Sequence, residues 1–166
     1  MLCQFTDERG RPTLKDYINI PGIYPAGRLD LDSEGLLILS DDGNLIHNLT
    51  DPRFKRPKTY LAQVEGTPIK EQADKIAQGI MIEGQKTLPA KVRIIDEPVL
   101  WERSKPIRYR KTVPTSWLEI SIIEGRNRQI RKMTAAVGLP CLRVVRIAVG
   151  KYKLNELKPG EFKREA

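Results

Sequence analysis

Cysteine, histidine and long apolar runs are scarce in this chain, and each shortage excludes a class of protein. Only Cys3 and Cys141 occur in 166 residues, far apart and outside any CxxC pair. That spacing indicates neither a disulfide framework nor a zinc site, and it points to a reduced, cytoplasmic setting. Histidine is rarer still. His47 stands alone beside Leu45, Ile46 and Leu49 on an expected helix, where packing or surface exposure is the common role. No Ser or Cys is placed to make a His-activated nucleophile. Neither a P-loop nor a GxGxxG is present, so a nucleotide cofactor has no visible cradle. No apolar run approaches the roughly 18 residues of a membrane span. The start, Met1-Leu2-Cys3-Gln4-Phe5, lacks the basic and apolar regions of a signal peptide. Carboxylates, phenols and cations are what remain for chemistry, with no nucleotide cofactor, no transition metal and no membrane partner expected.

Charge, by contrast, is plentiful and unevenly placed. The net charge is +8, yet residues 1–83 hold 10 Lys+Arg against 13 Asp+Glu, whereas residues 84–166 hold 19 against 8. A chain that is −3 in one half and +11 in the other presents a surface for a polyanion on one side. A merely solvated basic face is the alternative on charge alone. The composition, 40% hydrophobic and 30% charged, is that of a folded domain rather than a disordered or collagen-like chain.

No internal repeat, low-complexity tract or Ser/Gly linker divides the sequence. Periodicity and turn residues predict a short helix over 13–19, a strand over 36–40, a helix over 45–49 and a strand over 58–65. Thr67 and Pro68 read as N-cap and first residue of a helix carrying Ile69, Ala73, Ile76, Ala77 and Ile80 on one stripe. Strands are expected over 91–95, 117–123 and 141–149, with a final hairpin turning at Gly150. Between the last two strands, Asn127 is the expected N-cap of a helix over 128–137. Strands and helices follow no βαβ rhythm, so the fold class is α+β with a largely antiparallel sheet.

Three clusters could carry chemistry. In Gly27-Arg28-Leu29-Asp30-Leu31-Asp32-Ser33-Glu34-Gly35 three carboxylates alternate on a loop between glycines. They could serve as a divalent-metal site or as a nucleophilic or acid/base carboxylate; a solvated loop is the plainer alternative. In the second, Arg128, Arg131 and Lys132 share one face of the helix after Glu124-Gly125-Arg126-Asn127, poised for phosphates or carboxylates or simply exposed. The segment from Arg103 to Lys111 packs five cations in nine residues around Tyr109, a pattern that suits unpaired RNA bases or a mobile charged loop. Arg143, Arg146, Lys151 and Lys153 extend the expected basic surface.

At these residues the chain resembles the RsuA-type pseudouridine synthases. Gly27-Arg28-Leu29-Asp30 with Asp32-Ser33-Glu34-Gly35-Leu36-Leu37 is similar to that family's catalytic motif, Lys58-Thr59-Tyr60 to its second and Glu124-Gly125-Arg126-Asn127-Arg128-Gln129-Ile130-Arg131 to its third. Arg146-Ile147-Ala148-Val149-Gly150, with Leu154, Leu157 and Pro159-Gly160-Glu161, resembles the C-terminal motif. The resemblance implies one catalytic domain over 1–166, its mixed, largely antiparallel sheet flanked by helices and two subdomains enclosing a central active-site cleft. It implies no separate N-terminal RNA-binding domain, and the family's first strand, which carries Lys-Pro, is expected to be missing before Cys3. The implied activity is isomerisation of a uridine to pseudouridine in large-subunit ribosomal RNA, without cofactor. Asp30 would be the catalytic aspartate, Tyr60 the ring that stacks on the base, and Arg131 the ion-pair partner of Asp30. Arg28, Arg108, Arg110, Arg126, Arg128 and Lys132 are the expected RNA contacts, with Asp32 and Glu34 structural. The absence of an apolar heptad fits a monomer. A non-catalytic ribosome-binding protein would share the basic surface but gives no reason for the frame around Asp30. A nuclease built on Asp30, Asp32 and Glu34 would need a divalent metal.

Overall fold

Alternating apolar positions and turn residues become, in the computed structural model, one main sheet with helices packed on it and two small two-stranded sheets beside it; residues 1–165 are described. Three two-residue strands come first: β1 (Tyr24–Pro25), β2 (Glu34–Gly35) and β3 (Leu39–Ser40). Next are α1 (Gly43–Thr50), β4 (Lys58–Glu65) and α2 (Lys70–Ala77). A small hairpin of β5 (Met81–Ile82) and β6 (Gln85–Lys86) leads into β7 (Lys91–Ile95). The chain finishes with β8 (Thr115–Ile122), α3 (Gln129–Ala136), β9 (Cys141–Val149) and β10 (Tyr152–Lys153).

The main sheet has the order β10-β9-β4-β8-β7, every neighbour antiparallel. The expected α+β class with a largely antiparallel sheet is what forms. Strand alternation sorts its residues onto two faces. Ala62, Val64, Leu118 and Ile120 meet Ile76 of α2 with Ile130 and Met133 of α3, while Leu61, Trp117 and Val145 meet Leu49 of α1 and Leu36. Side chains of this kind each contribute about 1.5–3 kcal/mol when fully buried.

Several expected boundaries move. The apolar run over 36–40 is no single strand: β2 ends just before it and β3 takes only its last two residues, because Leu36 turns into the core under β9. Residues 13–19 form one 3₁₀ turn, Leu14–Asp16. The second helix starts at Lys70, not at Pro68; Ile69 is its cap residue, and the Gln72 side chain accepts from the Ile69 amide where Thr67 was expected to act. Likewise Arg128, not Asn127, caps α3, in the left-handed region at φ 51°. The strands over 58–65, 91–95 and 141–149 match their expected bounds.

One close approach positions the site. β2 pairs parallel to β9 through Glu34↔Val145 and Gly35↔Arg146, and the Leu36 amide donates to the Arg146 carbonyl at 2.8 Å. A Cβ on Gly35 would lie 2.2 Å from that carbonyl oxygen, and its φ of +108° already favours glycine. Gly35→Ala is therefore expected to destabilise the fold by about 2–4 kcal/mol in urea unfolding, through a backbone clash that no side chain can relieve. A change below about 0.5 kcal/mol would mean that this pairing is not rigid.

Candidate active site

The acidic loop between Gly27 and Gly35 is clipped to the sheet carboxylate by carboxylate. Glu34 receives a two-pronged contact from Arg143, Nε to Oε2 at 2.8 Å and Nη2 to Oε1 at 2.9 Å. Trp101 Nε1 donates to the same carboxylate at 2.9 Å, and Arg103 Nε lies 3.4 Å away. Asp32 is gripped in a fork by Arg128, with distances of 2.9 and 2.8 Å. Arg131 Nη2 lies 3.5 Å from the Asp32 carboxylate and donates to the Asp32 carbonyl at 3.3 Å. Fork geometry of this kind combines charge with direction. The Arg128 fork, with Arg131 behind it, lowers the Asp32 carboxyl from 3.8 to about 2. The other end of the loop is tied down by Cys3, whose Sγ accepts from the Leu29 amide at 3.2 Å.

Asp30 is the carboxylate left over. Its nearest cation is Arg128, Nη1 to Oδ2 at 3.6 Å, too long for a strong hydrogen bond. It faces a cleft of about 370 Å³ that Arg28, Tyr60 and Arg131 also line, with Ile122, Val144 and Val149 as apolar wall. The structure thus brings Asp30, Tyr60, Arg28, Arg126, Arg128 and Arg131 to one cavity. The site draws on the loop before β2, the start of β4, the turn before α3 and the middle of β9.

The expected pairing of Arg131 with Asp30 is corrected. Arg131 reaches Asp32 and the Cys141 carbonyl, and Arg128 takes the position beside Asp30, because its left-handed backbone swings the guanidinium over the loop. Lys132 is held by Glu83 at 2.7 Å on the hairpin side. Arg126 donates to the Ile82 and Gln85 carbonyls, so it braces the β5–β6 hairpin from the cleft edge. Arg110 pairs with Glu65 at the far end of β4, and neither it nor Arg108 lines the cleft. Arg143 and Arg146, expected on the basic surface, are 8% and 4% exposed. Arginines interrupting an apolar strand in a central position were the available signal, since a charge there stays only when paired or functional. Lys58 was missed as a site residue; it lines the cleft two positions before Tyr60 on the same strand face.

Metal chemistry on the acidic loop loses its ligands to these arginines, as Asp32 and Glu34 are neutralised by guanidinium groups. Among the described residues no group of three or more His, Cys, Asp or Glu is arranged to hold a metal ion. Cys141 is inert as a nucleophile at neutral pH, since burial pushes its thiol up to about 11.

The Asp32 fork has a pH signature. Its carboxyl titrates near 2 when folded and near 3.8 when unfolded, so the unfolded chain holds more protons in between. The stabilisation is complete above about pH 4 and vanishes as pH falls toward 2. Asp32 is 44% exposed, which discounts the effect to about 1 kcal/mol. Asp32→Asn is expected to lose about that much stability at pH 7 and to converge with wild type near pH 2 in chemical-denaturation curves. Parallel curves down to pH 2 would remove the fork from the account.

Comparison with known proteins adds an independent line. The sequence profile of the family described as RNA pseudouridylate synthase matches residues 3–136. Ribosomal large subunit pseudouridine synthase E of Vibrio parahaemolyticus is 52% identical over 162 residues, covering 98% of this chain and 68% of that protein. The protein of the same name from Xanthomonas axonopodis pv. citri is 54% identical over 169 residues, with 100% and 89% covered. A solved structure titled as a pseudouridylate synthase superposes with a TM-score of 0.78 at 30% identity, over 96% of this chain and 63% of that one. Fold, motif order and near full-length identity thus agree that the chain belongs to the RNA pseudouridylate synthase family.

Proposed function

We propose that the chain converts a specific uridine of large-subunit ribosomal RNA to pseudouridine in the Asp30 cleft. The observation that carries the reading is that two of the loop's three carboxylates are bound by arginines while Asp30 faces the cavity beside Tyr60. Relatives named for large-subunit ribosomal RNA synthesis of pseudouridine, 52% and 54% identical, support the substrate class. As expected for an RNA enzyme of this size, we take it to act as a monomeric single domain in the cytoplasm, where ribosomal RNA is assembled.

The uridine must leave its stack to reach the cleft, at a cost of a few kcal/mol. Tyr60 then offers its ring to the face of the flipped base, and Arg28 at the cleft edge is placed for backbone or substrate. In the reaction the N1–C1′ bond breaks and its electron pair leaves with the uracil. Asp30 compensates the sugar, either by attack or by taking the 2′ proton. The ring turns, a C5–C1′ bond forms, the C5 proton departs and N1 regains a proton. Atoms and electrons balance without any redox partner. Arg128, at 3.6 Å, holds Asp30 in place without consuming its lone pairs. Arg108 and Arg110 are read as contacts to the RNA outside the cleft and Arg126 as one at its edge, with Arg110 exchanging its Glu65 partner for phosphate.

Tritium release from 5-³H-uridine-labelled large-subunit ribosomal RNA, in a chelator with the RNA kept folded, tests the reading. Wild type is expected to release tritium and Asp30→Asn to lose at least about 10⁴-fold in rate with RNA affinity nearly intact. Strand cleavage that requires magnesium would favour a nuclease instead. For the flanking cations, Arg108→Ala should flatten the slope of log affinity against log salt by about 0.7 for one lost phosphate contact. An unchanged slope would return that segment to a solvated loop.

A further inference from the structure

Two cations on the cleft wall lack the carboxylates that occupy their neighbours. Lys58 opens β4 and lines the cleft, half-buried; no carboxylate lies within ion-pair distance of it among the described residues. Its ammonium is lowered from 10.5 by burial and by the charge of Arg146. Arg146 is 4% exposed, and it donates through Nε to the Leu36 carbonyl at 2.9 Å. Its Nη2 is buried with no hydrogen-bond partner among the described residues. An orphaned guanidinium N–H costs about 1–3 kcal/mol or more, and a neighbouring ammonium adds repulsion. Such a pair persists only where something repays it in the working state.

The backbone places them deliberately. β4 and β9 run in register from Lys58↔Val149 to Thr59↔Ala148, then skip Ile147 so that Tyr60 pairs with Arg146. That bulge turns Arg146 onto the face of Tyr60 and, two residues along the strand, of Lys58. Val144, Val149 and Ile122 surround them with apolar surface. The part of a flipped nucleotide that reaches such depth beside Tyr60 is its base, because a phosphodiester stays tethered at the cleft mouth.

We infer that Lys58 and Arg146 are the anion-stabilising pair of the cleft, holding the negative charge that uracil acquires when the N1–C1′ bond breaks. The electron pair of that bond passes into the ring and spreads over N1 and the two carbonyl oxygens. Two fixed cations on an apolar wall stabilise it more than they stabilise neutral uridine, which is the condition for lowering the barrier. Asp30 meets the complementary deficit on the sugar. When C5 bonds to C1′ the ring is neutral again; C5 then gives up its proton as N1 takes one, and the pair is released. This inference rests on the cleft being the uridine isomerase site.

Lys58→Met removes the charge and keeps the length. It is expected to leave thermal stability unchanged or raised, as an unpaired, half-buried charge is gone. Single-turnover loss of the target nucleoside, followed by digestion and chromatography, is then compared for RNA carrying uridine or 5-fluorouridine. Fluorine at C5 stabilises the ring anion by itself. The variant is expected to be slower by about 100-fold on uridine and by about 10-fold or less on 5-fluorouridine. RNA affinity should stay within about 3-fold, and Lys58→Arg should restore most of the rate. Equal losses on both RNAs, or a loss in affinity with the rate intact as for a phosphate contact, would overturn the inference alone. No conversion of uridine by wild type would overturn the isomerase reading and this inference with it.

Discussion

The arginine–carboxylate contacts along the loop from Asp30 to Glu34 are what the rest of the site depends on. The backbone of this loop has one short parallel pairing to β9, one turn bond from the Ser33 amide to the Asp30 carbonyl, and otherwise arginine donors on the Asp32 carbonyl. Arg143 and Arg103 hold Glu34 from one side, and Arg128 and Arg131 hold Asp32 from another. Partly buried pairs of this kind add less net stability than their Coulomb attraction suggests, because both ions lose water. Their value here is positional. They spend two carboxylates to fix the third, so that Asp30 meets a substrate with its geometry already set.

The same clips tie the catalytic loop to the basic segment that follows β7. Trp101 lies over Arg143, 5.8 Å from its guanidinium carbon, and accepts from Arg143 through its carbonyl while donating to Glu34. Arg103 reaches the Asp32 carbonyl at 3.0 Å. Cations that look alike in sequence therefore divide into two kinds: those consumed inside the protein, such as Arg103, Arg131 and Arg143, and those free for RNA. Net charge counts both kinds, so the +11 of the second half overstates the surface available to a polyanion.

Periodicity made the architecture readable. β4, β7 and β9 were legible to the residue because alternation and bounding turns leave little freedom. Helix starts were not, since Ile69 and Arg128 as caps break the usual preference and are decided by tertiary contacts of Gln72 and the acidic loop. Motif resemblance pointed to Asp30 and Tyr60, and the cleft contains both. What it could not convey was which arginine faces which carboxylate: Arg128 and Arg131 are three residues apart, and only the left-handed turn at Arg128 distinguishes their reach. Nor could alternation foresee Arg146, whose inward direction depends on a bulge at Ile147.

Hydrogen exchange at the amides from Asp30 to Leu36 tests the central claim most directly, comparing wild type with Glu34→Gln. If ion pairs hold the loop in its working geometry, exchange there should quicken by at least about 10-fold while β4 and β8 keep their protection. The single-turnover rate should fall alongside it. Unchanged exchange in the loop, or a loss of protection spread evenly over the sheet, would contradict the account, because the carboxylates would then serve general stability and not the placement of Asp30.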